Sequence, residues 1–263
     1  MAPERGWTAS VTARRCASTL LILLAAASSA RSDEAERIPS EAVALGGHEK
    51  KSIFRLGPLP GAEEPEAGFG LLVLLPGGNG SADFNMFCRR ILANGAGKEY
   101  VAVQLVAPKW SEEQEIVWPT ERSKVEGMGF PVVDFIEEAI ADARQWKKID
   151  RKRIFCLGWS SSGPALYEHS LAETKSAVGW FIAMSVFKPD QLPDLKAAKG
   201  NAYFLYHSPD DRVCPFRMAE DAAKKLKKKR AKVEFKQYAG GHGWHGNMYG
   251  DLRAGIAWLE KNR

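Results

Sequence analysis

The residues in this sequence best placed to do chemistry form a run of serines after a short apolar stretch. Arg153-Ile154-Phe155-Cys156-Leu157-Gly158-Trp159-Ser160-Ser161-Ser162-Gly163-Pro164 opens apolar, β-branched and aromatic, then breaks at a glycine. The opening reads as a strand buried on both faces. Pro164, whose fixed φ suits a first helical turn, leads into Ala165, Leu166 and Tyr167, so the segment reads strand, sharp turn, helix. A serine at the apex of such a turn is held in a strained conformation. The residues two before and two after it must be small, because strand and helix pass close together there. Gly158 and Ser162 fill those places, which makes Ser160 the candidate nucleophile. The helix aims its first amides at the point where an oxyanion would form, and Ser161 carries one of them.

A hydroxyl needs a base to become a nucleophile. Near the end of the chain, Tyr238-Ala239-Gly240-Gly241-His242-Gly243-Trp244-His245 puts two histidines in a glycine-rich loop after a predicted strand. Such a loop lets an imidazole swing over the serine. A second predicted strand, over 201–206, ends in His207-Ser208-Pro209-Asp210-Asp211-Arg212. A carboxylate at that strand end can fix one tautomer of the imidazole and stabilise the imidazolium. Residue types alone leave His242 against His245 and Asp210 against Asp211 open. A metal site is not indicated, since three well-spaced ligands and an HExxH pattern are missing. A phosphate cradle is not indicated either, for want of GxxxxGK[ST] or GxGxxG spacing.

The strand–serine–helix segment resembles the nucleophile elbow of the α/β-hydrolase superfamily, GxSxG. It departs from that pattern in carrying Ser162 at the second glycine, with Gly163 one place later. Its lead-in, Ile149-Asp150-Arg151-Lys152-Arg153-Ile154, is similar to the (V/I)DxxRI common in secreted esterases of the polyhydroxyalkanoate depolymerase and feruloyl esterase kind and in the phospholipase/carboxylesterase group. The resemblance implies that Asp211 is the acid, as in HGxxDxxVP, and that His242 is the base, as in GGHGW. It also implies that Gly78 donates the second oxyanion amide beside Ser161, from an HGG-like loop in which Pro76 replaces the histidine. Ser, Asp, His is the chain order of that superfamily. The implied fold is α/β, an α/β-hydrolase fold with a mostly parallel central sheet, helices on both faces and no large lid domain. The implied activity is cleavage of carboxylic esters through an acyl-enzyme, without cofactor or metal, on a small-molecule or polymeric ester. Two alternatives stand beside it. One is a serine peptidase of the same fold; the other is an inactive relative acting as a binding protein, which the altered elbow and Pro76 favour.

The elements that must position these residues follow along the chain. Length and apolar fraction suit one domain, over 52–263, after a flexible linker over 31–51. The first 30 residues read as a secretory signal cut after Ala30, because the apolar run over 17–27 is too short to span a bilayer and follows Arg14 and Arg15. The expected location is therefore secreted or periplasmic, with no stable membrane anchor after cleavage. Ser52–Leu56 reads as an edge strand, and the continuously apolar Phe69–Leu75 as a central parallel one ending at Pro76-Gly77-Gly78-Asn79-Gly80-Ser81. Helices are expected over 83–92, 131–148, 218–230 and 251–259, and further strands over 100–107, 177–186 and 232–238. Between them, 108–131 is a long segment of the kind that is often functional. Its Trp118 and Phe130, with Trp159 and Trp244, are expected to line an aromatic substrate pocket.

The formal charge is +5; the signal holds Arg5, Arg14 and Arg15 against Glu4, so its removal leaves +3. That balance calls for no nucleic-acid partner, and the lysine-rich run over 224–229 reads as a solvated helix face. Cys88, Cys156 and Cys214 show no zinc-type spacing, and a Cys88–Cys214 disulfide is compatible with an oxidising compartment.

Overall fold

The computed structural model describes residues 34–263, so the expected signal segment and its cleavage point lie outside the described residues. Eight strands form one sheet in the order β1-β2-β4-β3-β5-β6-β7-β8. They are β1 (Ser40–Ala44), β2 (Ser52–Leu56), β3 (Phe69–Leu75), β4 (Tyr100–Leu105), β5 (Ile149–Trp159), β6 (Gly179–Ala183), β7 (Ala202–His207) and β8 (Lys232–Gln237). β1 and β2 run antiparallel to their neighbours, and the other six are parallel. The α-helices that flank the sheet are α1 (Asn85–Ile91), α2 (Val132–Trp146), α3 (Gly163–Leu171), α4 (Phe216–Lys228) and α5 (Met248–Asn262).

The reason for this arrangement is visible in β3, whose seven residues are all buried. Leu71, Val73 and Leu75 enter one apolar layer with α2, α3 and α4, while Leu72 and Leu74 enter the other with α1 and α5. A strand with helices on both faces has no polar side to show, hence its unbroken apolar run. In α2 the buried residues Val132, Phe135, Ile136, Ala139, Ile140 and Ala143 repeat at the helical period and press one stripe on the sheet.

The sheet is one strand wider than expected. Part of the supposed linker folds: Ser40–Ala44 pairs antiparallel with Ser52–Leu56, and Ile38 and Leu45 are buried. The edge strand is therefore β1, and β2 lies inside the sheet between β1 and β4. β1 itself has no residue fully buried, because an edge strand stabilised by backbone pairing needs little apolar sequence. No strand or α-helix interrupts 106–131, and the described residues contain no large lid.

Candidate active site

Because the central strands are parallel, their carboxyl ends share one edge, where open α/β sheets bind ligands. Ser160 follows β5 directly, and its φ of 55° lies in the left-handed region that L side chains rarely adopt. A single turn over Ser160–Ser162 then hands the chain to α3. The space requirement at this turn explains the altered motif. A Cβ at Gly158 would lie 2.4 Å from Ser162 Oγ, and one at Gly163 would lie 1.9 Å from Ser185 Oγ. Ser162 is buried, and its hydroxyl donates to the Trp159 carbonyl at 3.1 Å. A hydrogen-bonded serine thus fills the usual glycine position, while the need for no side chain falls on Gly163, where α3 meets the end of β6.

Asp211 follows β7 and His242 follows β8. Ser160 Oγ is 3.0 Å from His242 Nε2, and His242 Nδ1 is 2.8 Å from Asp211 Oδ2. The carboxylate is held from four directions. Oδ1 accepts the amides of Val213 and Cys214, each at 2.8 Å, and Oδ2 meets His207 Nε2 at 3.1 Å as well as His242. Burial pushes the Asp211 pKa up, but the bonds from His242 and the two amides outweigh it and hold the carboxyl below its usual range. Burial also pushes His207 down, against the opposing pull of the Cys214 carbonyl and Asp211, so His207 favours the neutral ring. In that form its Nε2–H is shared between Asp211 and the Cys214 carbonyl, 2.9 Å away. In the sequence His207 reads only as a strand end. Its place four residues before the carboxylate was the available signal.

The rival residues stand apart from this chain of contacts. His245 stacks on the Tyr238 ring, and Asp210 is exposed. The His242 loop is built to stay put: Tyr238 stacks on Tyr206 with centroids 4.3 Å apart, and its hydroxyl reaches the Gly243 carbonyl at 2.7 Å.

The loop after β3 meets the turn directly. Ser161 Oγ donates to the Gly78 carbonyl at 2.9 Å, and Gly78 itself has φ 57°. Trp118 is not a pocket residue. It is buried beneath this loop, with its indole N–H on the Pro76 carbonyl at 2.9 Å. Phe130 is also buried and packs on Trp110 and Phe135. Both were expected to line the pocket because their segment lacks regular structure; instead their rings fasten that segment to the core. The same segment does border an open cavity of about 320 Å³ beside Asn79 and Ser81, through Val106, Lys109, Gln114 and Val117. Trp159 and Trp244 do meet near Ser160, edge to face at 5.9 Å, and Phe87 touches both. Val213, beside Asp211, is 67% exposed.

Cys88, Cys156 and Cys214 are all free and buried, so the Cys88–Cys214 disulfide does not form. Burial and then the Asp211 charge push the Cys214 thiol up to about 11, against the opposing pull of the Ser160 hydroxyl. The described residues contain no helix long and apolar enough to cross a membrane.

An open, mostly parallel sheet with helices on both faces and a strand–serine–helix turn defines an α/β hydrolase. Solved structures agree on the fold. An α/β hydrolase enzyme from a Medee basin deep-sea metagenome library aligns over 85% of this chain and 97% of its own at 14% identity and a TM-score of 0.61. A thermostable esterase from Pseudomonas putida covers 90% and 88% at 13% identity, TM-score 0.62. The Bacillus cereus carboxylesterase covers 76% and 92% at 16% identity, TM-score 0.55. The chain matches no curated protein sequence. The phospholipase/carboxylesterase family model matches residues 94–259, well over half of the chain, and the protein belongs to that family of esterase-type hydrolases.

Proposed function

We propose that this protein is a secreted serine hydrolase that cleaves carboxylic esters through Ser160, His242 and Asp211. The observation that carries the reading is the unbroken contact from Ser160 Oγ through both nitrogens of His242 to Asp211 Oδ2, at 3.0 and 2.8 Å. Ser160 Oγ attacks the ester carbonyl as its proton passes to His242 Nε2, and Asp211 stabilises the imidazolium. The tetrahedral oxygen settles between the amides of Ser161 and Gly78, each worth on the order of 3 kcal/mol in comparable sites. His242 then gives the proton to the leaving alcohol. Water, deprotonated by the same imidazole, attacks the acyl carbonyl, and the proton returns to Ser160 as the acid leaves.

The half-buried rings of Trp244 and Phe87, backed by the buried Trp159, together with exposed Val213, favour esters with an apolar or aryl group over small polar ones. Export rests on the apolar run over 17–27, and sequencing of the protein recovered outside the cell should begin at Arg31. Ser160→Ala should reduce hydrolysis of activated aryl esters to background, with an unchanged far-ultraviolet spectrum. A fluorophosphonate should leave its adduct on Ser160. An adduct on Ser161 or Ser162, or full turnover by a clean alanine variant, overturns the assignment.

A further inference from the structure

The thiol of Cys214 has no part in ester hydrolysis as described, yet it lies beside both the aspartate and the histidine of the site. Asp211, Cys214 and His242 each place a ligand atom within 4.8 Å of the other two. From this cluster we infer a second use of the site: it binds a thiophilic divalent cation such as Zn²⁺, which holds the protein in an inactive form.

The donor set suits the ion. Sulfur, imidazole nitrogen and one carboxylate oxygen select zinc-like cations over magnesium or calcium, which demand oxygen shells. Zinc lies about 2.0–2.3 Å from such ligands, so tetrahedral neighbours stand roughly 3–4 Å apart. To admit the ion, His242 Nδ1 and Asp211 Oδ2, 2.8 Å apart, open by about half an ångström, while the Cys214 sulfur, within 4.8 Å of the other donors, moves inward. Asp211 Oδ1 is occupied by the Val213 and Cys214 amides, which leaves Oδ2 as the ligand atom, with His207 Nε2 at 3.1 Å to steady it. Charge also balances. One carboxylate, one thiolate and one neutral imidazole bring −2 against +2, which a carboxylate with a side-chain exposure of 0% requires.

The bound ion displaces two hydrogens. The Cys214 thiol proton goes to solvent as the S–metal bond forms. On His242, Nδ1 gives up its hydrogen to take the metal and Nε2 gains one, so the ring stays neutral and the net release is one proton per ion. Nε2 then presents N–H to Ser160 and can no longer accept its proton. That consequence for activity rests on the roles proposed for Ser160 and His242; the binding itself does not.

The test uses the full chain freed of metal. Titration with Co²⁺ should produce a near-ultraviolet thiolate-to-cobalt band, and Zn²⁺ should erase it. Cys214→Val should lose the band and bind Zn²⁺ at least tenfold more weakly in competition with a chromophoric chelator. Cys214→Ser, should the valine variant melt early, must lose the band likewise. Zn²⁺ should also suppress aryl-ester turnover reversibly with EDTA, and each variant, relative to its own metal-free rate, should resist. A wild-type protein without the thiolate band, or a Cys214→Val protein with unchanged Zn²⁺ affinity, overturns the site. A band in a protein that hydrolyses no ester leaves the metal site standing and removes the catalytic reading instead.

Discussion

Asp211 carries four hydrogen-bonding partners on two oxygens, and each partner constrains a different atom of the site. Two amides fix Oδ1, which turns Oδ2 toward both imidazoles. Asp211→Asn would keep the shape and reverse one dipole. If its Nδ2–H faces His242 Nδ1, the ring hydrogen moves to Nε2, opposite Ser160 Oγ, where a lone pair is needed. The expected result is a kcat lower by about 10³–10⁴-fold with KM little changed. Asp210→Asn, on an exposed neighbour, should stay within about twofold. Steady-state kinetics of the two variants side by side check the assignment, and equal losses would sink it. Choosing between these two carboxylates from sequence required a family pattern, because residue types at a strand end do not say which side chain turns inward. The amides of Val213 and Cys214 make that choice in the fold.

At the scale of elements, the tightest constraint is the crossing of α3 over the end of β6. Gly163→Ala would put a methyl 2.5 Å from Ser185 Cβ and 1.9 Å from its Oγ, too close for any rotamer to relieve. Overpacking of this kind costs about 1–3 kcal/mol, and here it also levers the turn that carries Ser160. Gly163→Ala should therefore lower the urea midpoint and lose turnover beyond what its stability explains. Ser162→Gly, by contrast, gives up one hydrogen bond to the Trp159 carbonyl and should cost about 1 kcal/mol with activity largely kept. Urea titration and kcat of both variants decide whether position 163 has taken over the constraint. The strand–turn–helix was legible because its rule is local: apolar run, small residues, proline. β1 was not, since backbone pairing holds a short edge strand whose side chains stay largely exposed. Trp118 and Phe130 misled for a related reason. Segments without regular structure still bury aromatic anchors, and whether a ring faces solvent, substrate or core depends on contacts distant in the chain.

The molecule as a whole is tuned against pH by two buried carboxylates shifted in opposite directions. Asp211 is held below its ordinary range, so its contribution to stability is present above about pH 4 and is lost as pH falls through the folded value. Glu168 on α3 does the reverse. It is 3% exposed; Oε1 accepts the Glu121 amide at 2.8 Å, and Oε2 is buried with no partner. Burial raises its pKa from 4.5 to about 7, against the pull of that amide and of Arg122 and Lys124. Below 4.5 both folded and unfolded chains hold the proton and nothing is lost. Between 4.5 and 7 the unfolded chain ionises first, so stability falls as pH rises, and above 7 the deficit is constant. Its size is at most about 3 kcal/mol, and screening by solvent brings it nearer 1–2. Glu168→Gln keeps the Oε1 acceptor for Glu121 while removing the charge. The variant should melt several degrees above the parent at pH 8, with the gap closing toward pH 4.5. A gap independent of pH would mean that packing, rather than ionisation, sets the difference.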